Sequence, residues 1–220
     1  LADQHLLSHA RAVLHGRANL RWLIGGACSG KSTIARAISG QTGIPVYDMD
    51  EHVFGRYTFD AARHPATTAW FTAENPLGWM LSQPWEAFDA LYRATNAEML
   101  DLLADDLSGR PDDPLLIDGG ISHPSVLAQV IPPERIACLE APEAFPAREW
   151  ETAENRAEMK RSVLALPDGE AMWRRFLDYD RRMTETIGQE SREAGIRVFG
   201  WEEAAAVAHL AESVARTLAL

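Results

Sequence analysis

Eight consecutive residues, Gly25-Gly26-Ala27-Cys28-Ser29-Gly30-Lys31-Ser32, carry the pattern G-x-x-x-x-G-K-[ST] in full. The residue types are those a phosphate site needs. Glycines reach backbone conformations closed to other residues, so successive amides can turn inward around an anion. A helix opening at Lys31 adds the positive end of its dipole. Lys31 is then expected on the β- and γ-phosphates of a nucleotide, with the Ser32 hydroxyl on Mg²⁺. Together Gly25 to Thr33 form the expected nucleotide-binding segment. The competing reading, a chance glycine-rich turn, is weakened because the motif follows an apolar run and opens a helical pattern. Cys28 admits two readings, a redox switch or a small tolerated residue.

Carboxylates follow at telling places. Asp48-Met49-Asp50 closes the short run IPVYDMD. If the chain stays extended there, alternation sets Asp48 and Asp50 on one side. At the carboxyl end of a parallel strand they would face the ligand crevice, one able to orient an acceptor hydroxyl and take its proton. Asp also favours helix N-caps and solvated turns, which is the plainer reading of either residue. Asp118 ends the apolar run LLID, the pattern in which a carboxylate holds the hydration shell of a metal. Gly119 and Gly120 would let an acceptor approach the backbone closely.

The elements that must position these groups can be read from periodicity. Leu6, Leu7, Ala10, Val13 and Leu14 recur at helical spacing, which predicts a helix over 3–15. LRWLIGG reads as a buried strand, followed by a helix from Lys31 to Ser39 with Gly40 and Gly43 as stop signals. Pro45–Asp48 reads as a second strand. Residues 52–84 read as irregular and rich in aromatics and proline, and Trp85–Leu107 as a long helix with Phe88, Leu91, Tyr92, Thr95, Met99, Leu102 and Leu103 inward. LLID, RIACLEA and GIRVFGW are the remaining strands. The charged stretch 143–165 is helix-prone. A helix follows over 169–194 with Trp173, Phe176, Leu177, Met183 and Ile187 inward, and residues 201–220 read as a terminal helix. Five apolar strands alternating with helices imply parallel pairing in a doubly wound α/β fold, in one domain.

The chain has 220 residues, 46% hydrophobic and 24% charged, the profile of an ordinary globule. Its formal net charge of -11 disfavours nucleic acid and anionic membranes as partners. Two cysteines, Cys28 and Cys138, are too few for a disulfide framework, and no apolar run approaches a membrane span. A cytoplasmic protein, monomer or homodimer, is the expectation. His52, His64 and His123 show no zinc-type spacing with the cysteines, though His123 falls in a crevice loop where a minor polar contact is conceivable. Trp70, Trp79 and Trp85 could stack on a planar ring or a sugar face, or simply fill core.

With IGGACSGKSTIARAI, YDMD and LLIDGG assembled, the chain resembles the P-loop small-molecule kinases, the nucleoside monophosphate kinase-like superfamily that includes shikimate, gluconate and adenylate kinases. The resemblance implies a five-stranded parallel sheet in order 2-3-1-4-5 and a lid between the fourth strand and the next helix, spanning 142–167. Lids of this family carry arginines. Arg148, Arg156, Lys160 and Arg161 occupy that stretch, and Arg148 and Arg156 are the residues expected to close on the phosphates. Interleaved Glu149, Glu151, Glu154 and Glu158 allow the alternative of a solvated helix. Arg174, Arg175, Arg181 and Arg182 lie opposite the apolar stripe of the following helix, where exposure is the plainer expectation. The sequence departs from the family in carrying DGGISHP after the third strand, not the adenylate-kinase signature D-G-[FY]-P-R, and it has no N-K-x-D guanine motif. The 52–110 segment matches no known acceptor site and reads as a helical acceptor-binding insertion.

The function expected is an ATP- and Mg²⁺-dependent phosphotransferase acting on a small hydroxyl- or phosphate-bearing acceptor. Lys31, Asp50, Arg148 and Arg156 would be catalytic. Asp48, Asp50, Gly119 and Gly120 would meet the acceptor, and Ser32 and Asp118 the metal. The alternative is a regulatory ATPase or nucleotide switch acting through a protein partner.

Overall fold

The computed structural model describes residues 2–142, 145–201 and 206–220. A five-stranded sheet in the order β2-β3-β1-β4-β5 forms its centre. The strands are β1 (Leu20–Gly25), β2 (Val46–Asp48), β3 (Leu115–Asp118), β4 (Ile136–Glu140) and β5 (Arg197–Gly200), and every pairing is parallel. Parallel strands need crossovers long enough for a helix, and the helices cover both faces. One face is closed by α1 (Gln4–Leu14) and α6 (Trp85–Leu107), through Leu7, Leu14, Leu100 and Leu103 against Trp22, Ile24 and Ile117. The other is closed by α2 (Lys31–Thr42) and α11 (Val207–Thr217), through Ile34, Ile38, Leu210 and Val214 against Leu23, Leu116 and Leu139. Alternate residues of β1 thus serve opposite layers, which is why that strand is apolar nearly throughout.

Local chemistry sets the ends of these elements. Asp3 caps α1, accepting from the His5 amide at 2.8 Å. Gly43, at φ 75°, closes α2 in the left-handed conformation. The helix therefore runs through Gly40, one of the two expected stops.

The 52–84 segment is not irregular. It holds α3 (Met49–Gly55), α4 (Pro65–Phe71) and α5 (Pro76–Ser82). Two of the three start on proline, whose fixed φ suits the first helical position. Each has only seven residues, too few for a periodic stripe to show. The charged stretch 143–165 divides into α8 (Phe145–Thr152) and α9 (Ala157–Leu164), broken by extended Ala153 and the 3₁₀ turn Glu154–Arg156. Between β3 and β4 a further short helix, α7 (Pro124–Leu127), appears where no helix was expected. α10 (Gly169–Glu193) completes the set. Residues 143–144 of the expected lid and 202–205 of the expected terminal helix lie outside the described residues. No described helix is long and apolar enough to cross a membrane.

α6 is buried far beyond the expected stripe. Asn96, Glu98 and Asp101 are enclosed together with Ala97, Leu100 and Ala104. Each buried polar group meets partners, as burial demands. Glu98 accepts from the amides of Ala66 and Thr67 at 2.9 and 2.7 Å and so caps α4. Asp101 accepts from His9, Arg63 and His64.

Candidate nucleotide and acceptor site

The expected phosphate loop leaves β1 and enters α2 with the backbone its glycines allow. Gly25 and Gly30 have φ of 151° and 84°, and Cys28, a non-glycine, stands at 59°. A side chain on Gly25 would strike the Leu139 carbonyl at 2.3 Å, and one on Gly30 would strike the Trp201 ring at 2.6 Å. Neither position can accept another residue without moving its neighbours. The Trp201 indole also donates to the Ser29 carbonyl at 2.8 Å. Among the described residues, the amides of Ala27, Cys28 and Gly30 and the first-turn amides of Lys31 and Ser32 find no backbone acceptor. Unpaired amides at the head of a helix are the donors an anion needs.

Lys31 stands at the centre. Its ammonium donates to the Gly26 carbonyl at 2.8 Å. Desolvation lowers its pKa, opposed by the fields of Asp118 and Asp50. Asp118 comes from the end of β3, where it is in register with Asp48 of β2 and Leu23 of β1. It is 4% exposed, and its Oδ1 has no hydrogen-bond partner. Burial raises its pKa, and the nearby Ser32 hydroxyl and Lys31 oppose the rise. A buried carboxylate oxygen without a donor is an expensive feature unless something occupies it.

Asp48 and Asp50 are arranged differently from the extended-strand expectation. The chain turns into α3 at Met49, and Asp48 is the N-cap, accepting from the Glu51 amide at 3.0 Å. Asp50 then lies in the first helical turn, turned toward Lys31. The two glycines after β3 make this possible. A side chain on Gly120 (φ 76°) would come 2.4 Å from Met49 Cβ. One on Gly119 would stand 3.7 Å from Lys31 Cε and 4.0 Å from Asp50 Oδ2, so both groups flank the same open point. The Asp50 pKa is raised by enclosure and by its neighbours Asp48 and Asp118, with Lys31 opposing. Asn96 holds the following turn, accepting from the amides of Ser122 and His123 at 2.9 and 2.8 Å.

These groups border one cleft of about 330 Å³ at the carboxyl ends of the strands. Its walls include Gly25, Ala27, Cys28, Lys31, Ser32, Asp48, Asp50, Asp118, Gly119 and Gly120, with Tyr92, Ser122, Arg156 and Asp180 from the helical side. Open sheets of this class bind ligands at that edge. Arg156 is the one member of the expected lid set that borders the cleft. Its guanidinium stands 4.7 Å over the Trp150 ring. Arg148 is exposed on α8 and does not border the cleft, and Lys160 pairs with Glu151. Thr33 lies exposed on α2 outside it. His123 is buried and turned away, 3.0 Å from Asp89. Trp70, Trp79 and Trp85 pack among the aromatics of the helical lobe and do not line the cleft. Tyr92 and Asp180 were not expected here. Tyr92 read as stripe, and Asp180 is one of several acids in a charged helix whose phase the sequence could not tie to the cleft.

The residues present suit a nucleotide triphosphate with Mg²⁺. The crowded glycine positions define the cradle, and the orphaned Asp118 oxygen beside Ser32 offers a metal-side acceptor. Among the described residues no three His, Cys, Asp or Glu side chains form a metal cage. Mg²⁺ bound through one carboxylate, a hydroxyl, waters and substrate phosphates does not require one.

No family model and no curated protein matches this chain. Among solved structures it is similar to shikimate kinase from Acinetobacter baumannii in complex with shikimate, with a TM-score of 0.50 and 15% identity over 91% of this chain and 93% of that one. That likeness, and the all-parallel 2-3-1-4-5 sheet, give this chain the fold of the P-loop kinases.

Proposed function

We propose that this chain is an ATP- and Mg²⁺-dependent phosphotransferase moving the γ-phosphoryl group to a small-molecule acceptor. The observation that carries the reading is the meeting of Lys31 and Asp50 over the bare Gly119. One group suits a phosphate, the other a hydroxyl proton, and both come within 4.0 Å of where a Gly119 side chain would stand.

In this reading the loop amides and Lys31 hold the triphosphate, and Lys31 exchanges its Gly26 partner for phosphate oxygens. Ser32 and Asp118 hold Mg²⁺, which supplies charge neutralisation on the phosphates when bound. Asp50 takes the hydroxyl proton as the acceptor oxygen bonds to the γ-phosphorus and the electron pair of the breaking bridge bond leaves with the diphosphate. Its raised pKa brings it nearer the working pH, which favours a general base. Arg156 offsets charge on the transferring group from the lid side. Segment 52–110 forms the acceptor lobe and 142–167 the lid that excludes water.

The test is ADP release from ATP and Mg²⁺ across a panel of acceptors. Release above background with at least one acceptor is expected. Equal release with and without every acceptor overturns transfer and favours a regulatory ATPase acting through a partner.

A further inference from the structure

The charges around the cleft bear on what the acceptor is. Four carboxylates line it, Asp48, Asp50, Asp118 and Asp180, against two cations, Lys31 and Arg156. The reading above commits both cations to the triphosphate and Asp118 to the metal. Among the described residues that line the cleft, no further cation remains for a carboxylate or phosphate on the acceptor. Arg36, whose field reaches Asp118, is exposed on α2 and does not border the cleft, and three further arginines are held in ion pairs. Arg93 is tied to Asp89 and Glu190, Arg63 to Asp101 and Asp105, and Arg182 to Asp178.

Asp180 is the unexplained member. It projects from the middle of α10, its Oδ2 accepts from the Trp150 indole at 3.0 Å, and it has no ion-pair partner among the described residues. Burial raises its pKa, with Trp150, Arg156 and Lys31 opposing. The half-buried Tyr92 lines the same cleft as Asp180 and Asp50. The cleft they share is a built site by an independent sign, the donorless buried oxygen of Asp118. A half-buried carboxylate with no ion-pair partner in contact is stabilised by a ligand that brings a cation to it.

We infer that the acceptor is a hydroxyl-bearing amine, such as an amino sugar or amino alcohol, whose ammonium pairs with Asp180 while its hydroxyl faces Asp50. Tyr92, Ile121, Met183 and Ile187 supply the less polar wall beside its carbon skeleton. This inference rests on the phosphotransferase reading and narrows it.

The experiment measures ATP-dependent ADP release with three acceptor groups. The first holds amines (glucosamine, ethanolamine, serinol), the second neutral polyols (glucose, ribose, glycerol), and the third acids (gluconate, shikimate, ribose 5-phosphate). Stimulation by the amine group above both others is expected. Greater stimulation by the neutral or acidic group overturns the amine assignment alone. Silence from all three groups overturns the phosphotransferase reading beneath it. Asp180→Asn supplies the second arm, because its amide oxygen can still accept from Trp150. It is expected to raise the KM of the best amine about tenfold or more, the loss of one charge-assisted contact, and to leave the best neutral acceptor unchanged. An equal effect on both acceptors overturns the pairing.

Discussion

Lys31 and Asp50 both approach the same bare glycine, and their contributions separate in experiment. Lys31→Ala removes the ammonium that the proposed function sets on the phosphates. The expected outcome in thermal melts with and without Mg-ATP is loss of the nucleotide-dependent shift, and a shift equal to that of the native chain would remove the loop from the account. Asp50→Asn keeps the shape but cannot take a proton. Nucleotide stabilisation should persist while kcat falls by about 10²–10⁴-fold. Turnover within threefold of native would make Asp50 structural. The same substitution makes a claim about pH. Because the folded pKa of Asp50 is raised, the folded chain keeps this proton at pH values where the unfolded chain has released it. The stability tied to the neutral form is complete below the unfolded value and is lost as pH rises through the folded one. Asn at 50 should therefore be more stable than native at neutral pH and lose that advantage in acid. Paired melts at pH 4 and 7.5 measure it, and a constant gap would count against the assignment. At this scale the motif residues were legible, because G-x-x-x-x-G-K-[ST] states its own chemistry. The position of Asp50 was not. It depends on α3 beginning at Met49, and a three-residue strand gives no warning of where it ends.

Among the elements, α6 shows where periodicity misleads. Its second half is buried on nearly all sides, between α1, α4, α7 and the sheet, so polar residues there act as internal brackets and not as a solvent face. Glu98→Ala would strand the amides of Ala66 and Thr67 at the start of α4. The expected cost is about 1–3 kcal/mol in urea unfolding, and a loss under about 0.3 kcal/mol would mean that water replaces the cap. Gly120→Ala strains a positive φ and presses Met49, which opens α3. It should lower the melting temperature and also cut transfer more than nucleotide binding, because Asp50 rides on the displaced turn. A fall in stability with the kinetic constants preserved would separate the two effects. The long helices and all five strands could be read from pattern. The seven-residue helices of the 52–84 segment could not, being shorter than the two turns over which an apolar stripe repeats.

For the molecule as a whole, the sheet order followed from the resemblance carried by three short segments, and the structure agrees with it. The number of strands and their parallel sense followed from alternation with helices. The partition into two apolar layers and a third cluster around Trp150, Trp173 and Tyr179 required contacts that no local pattern contains. The third cluster is where α5, α6, α8, α9 and α10 meet, and it borders the cleft into which Asp180 and Arg156 reach from the helical side.

Trp201 joins parts of the chain that are far apart in sequence. Its indole rests on Gly30 and donates to the Ser29 carbonyl, 172 positions away, so a residue just past the last strand braces the first loop. During synthesis, then, the anion cradle is finished only after β5 has emerged and docked. A nascent chain that has already folded its early helices still lacks one wall of this loop.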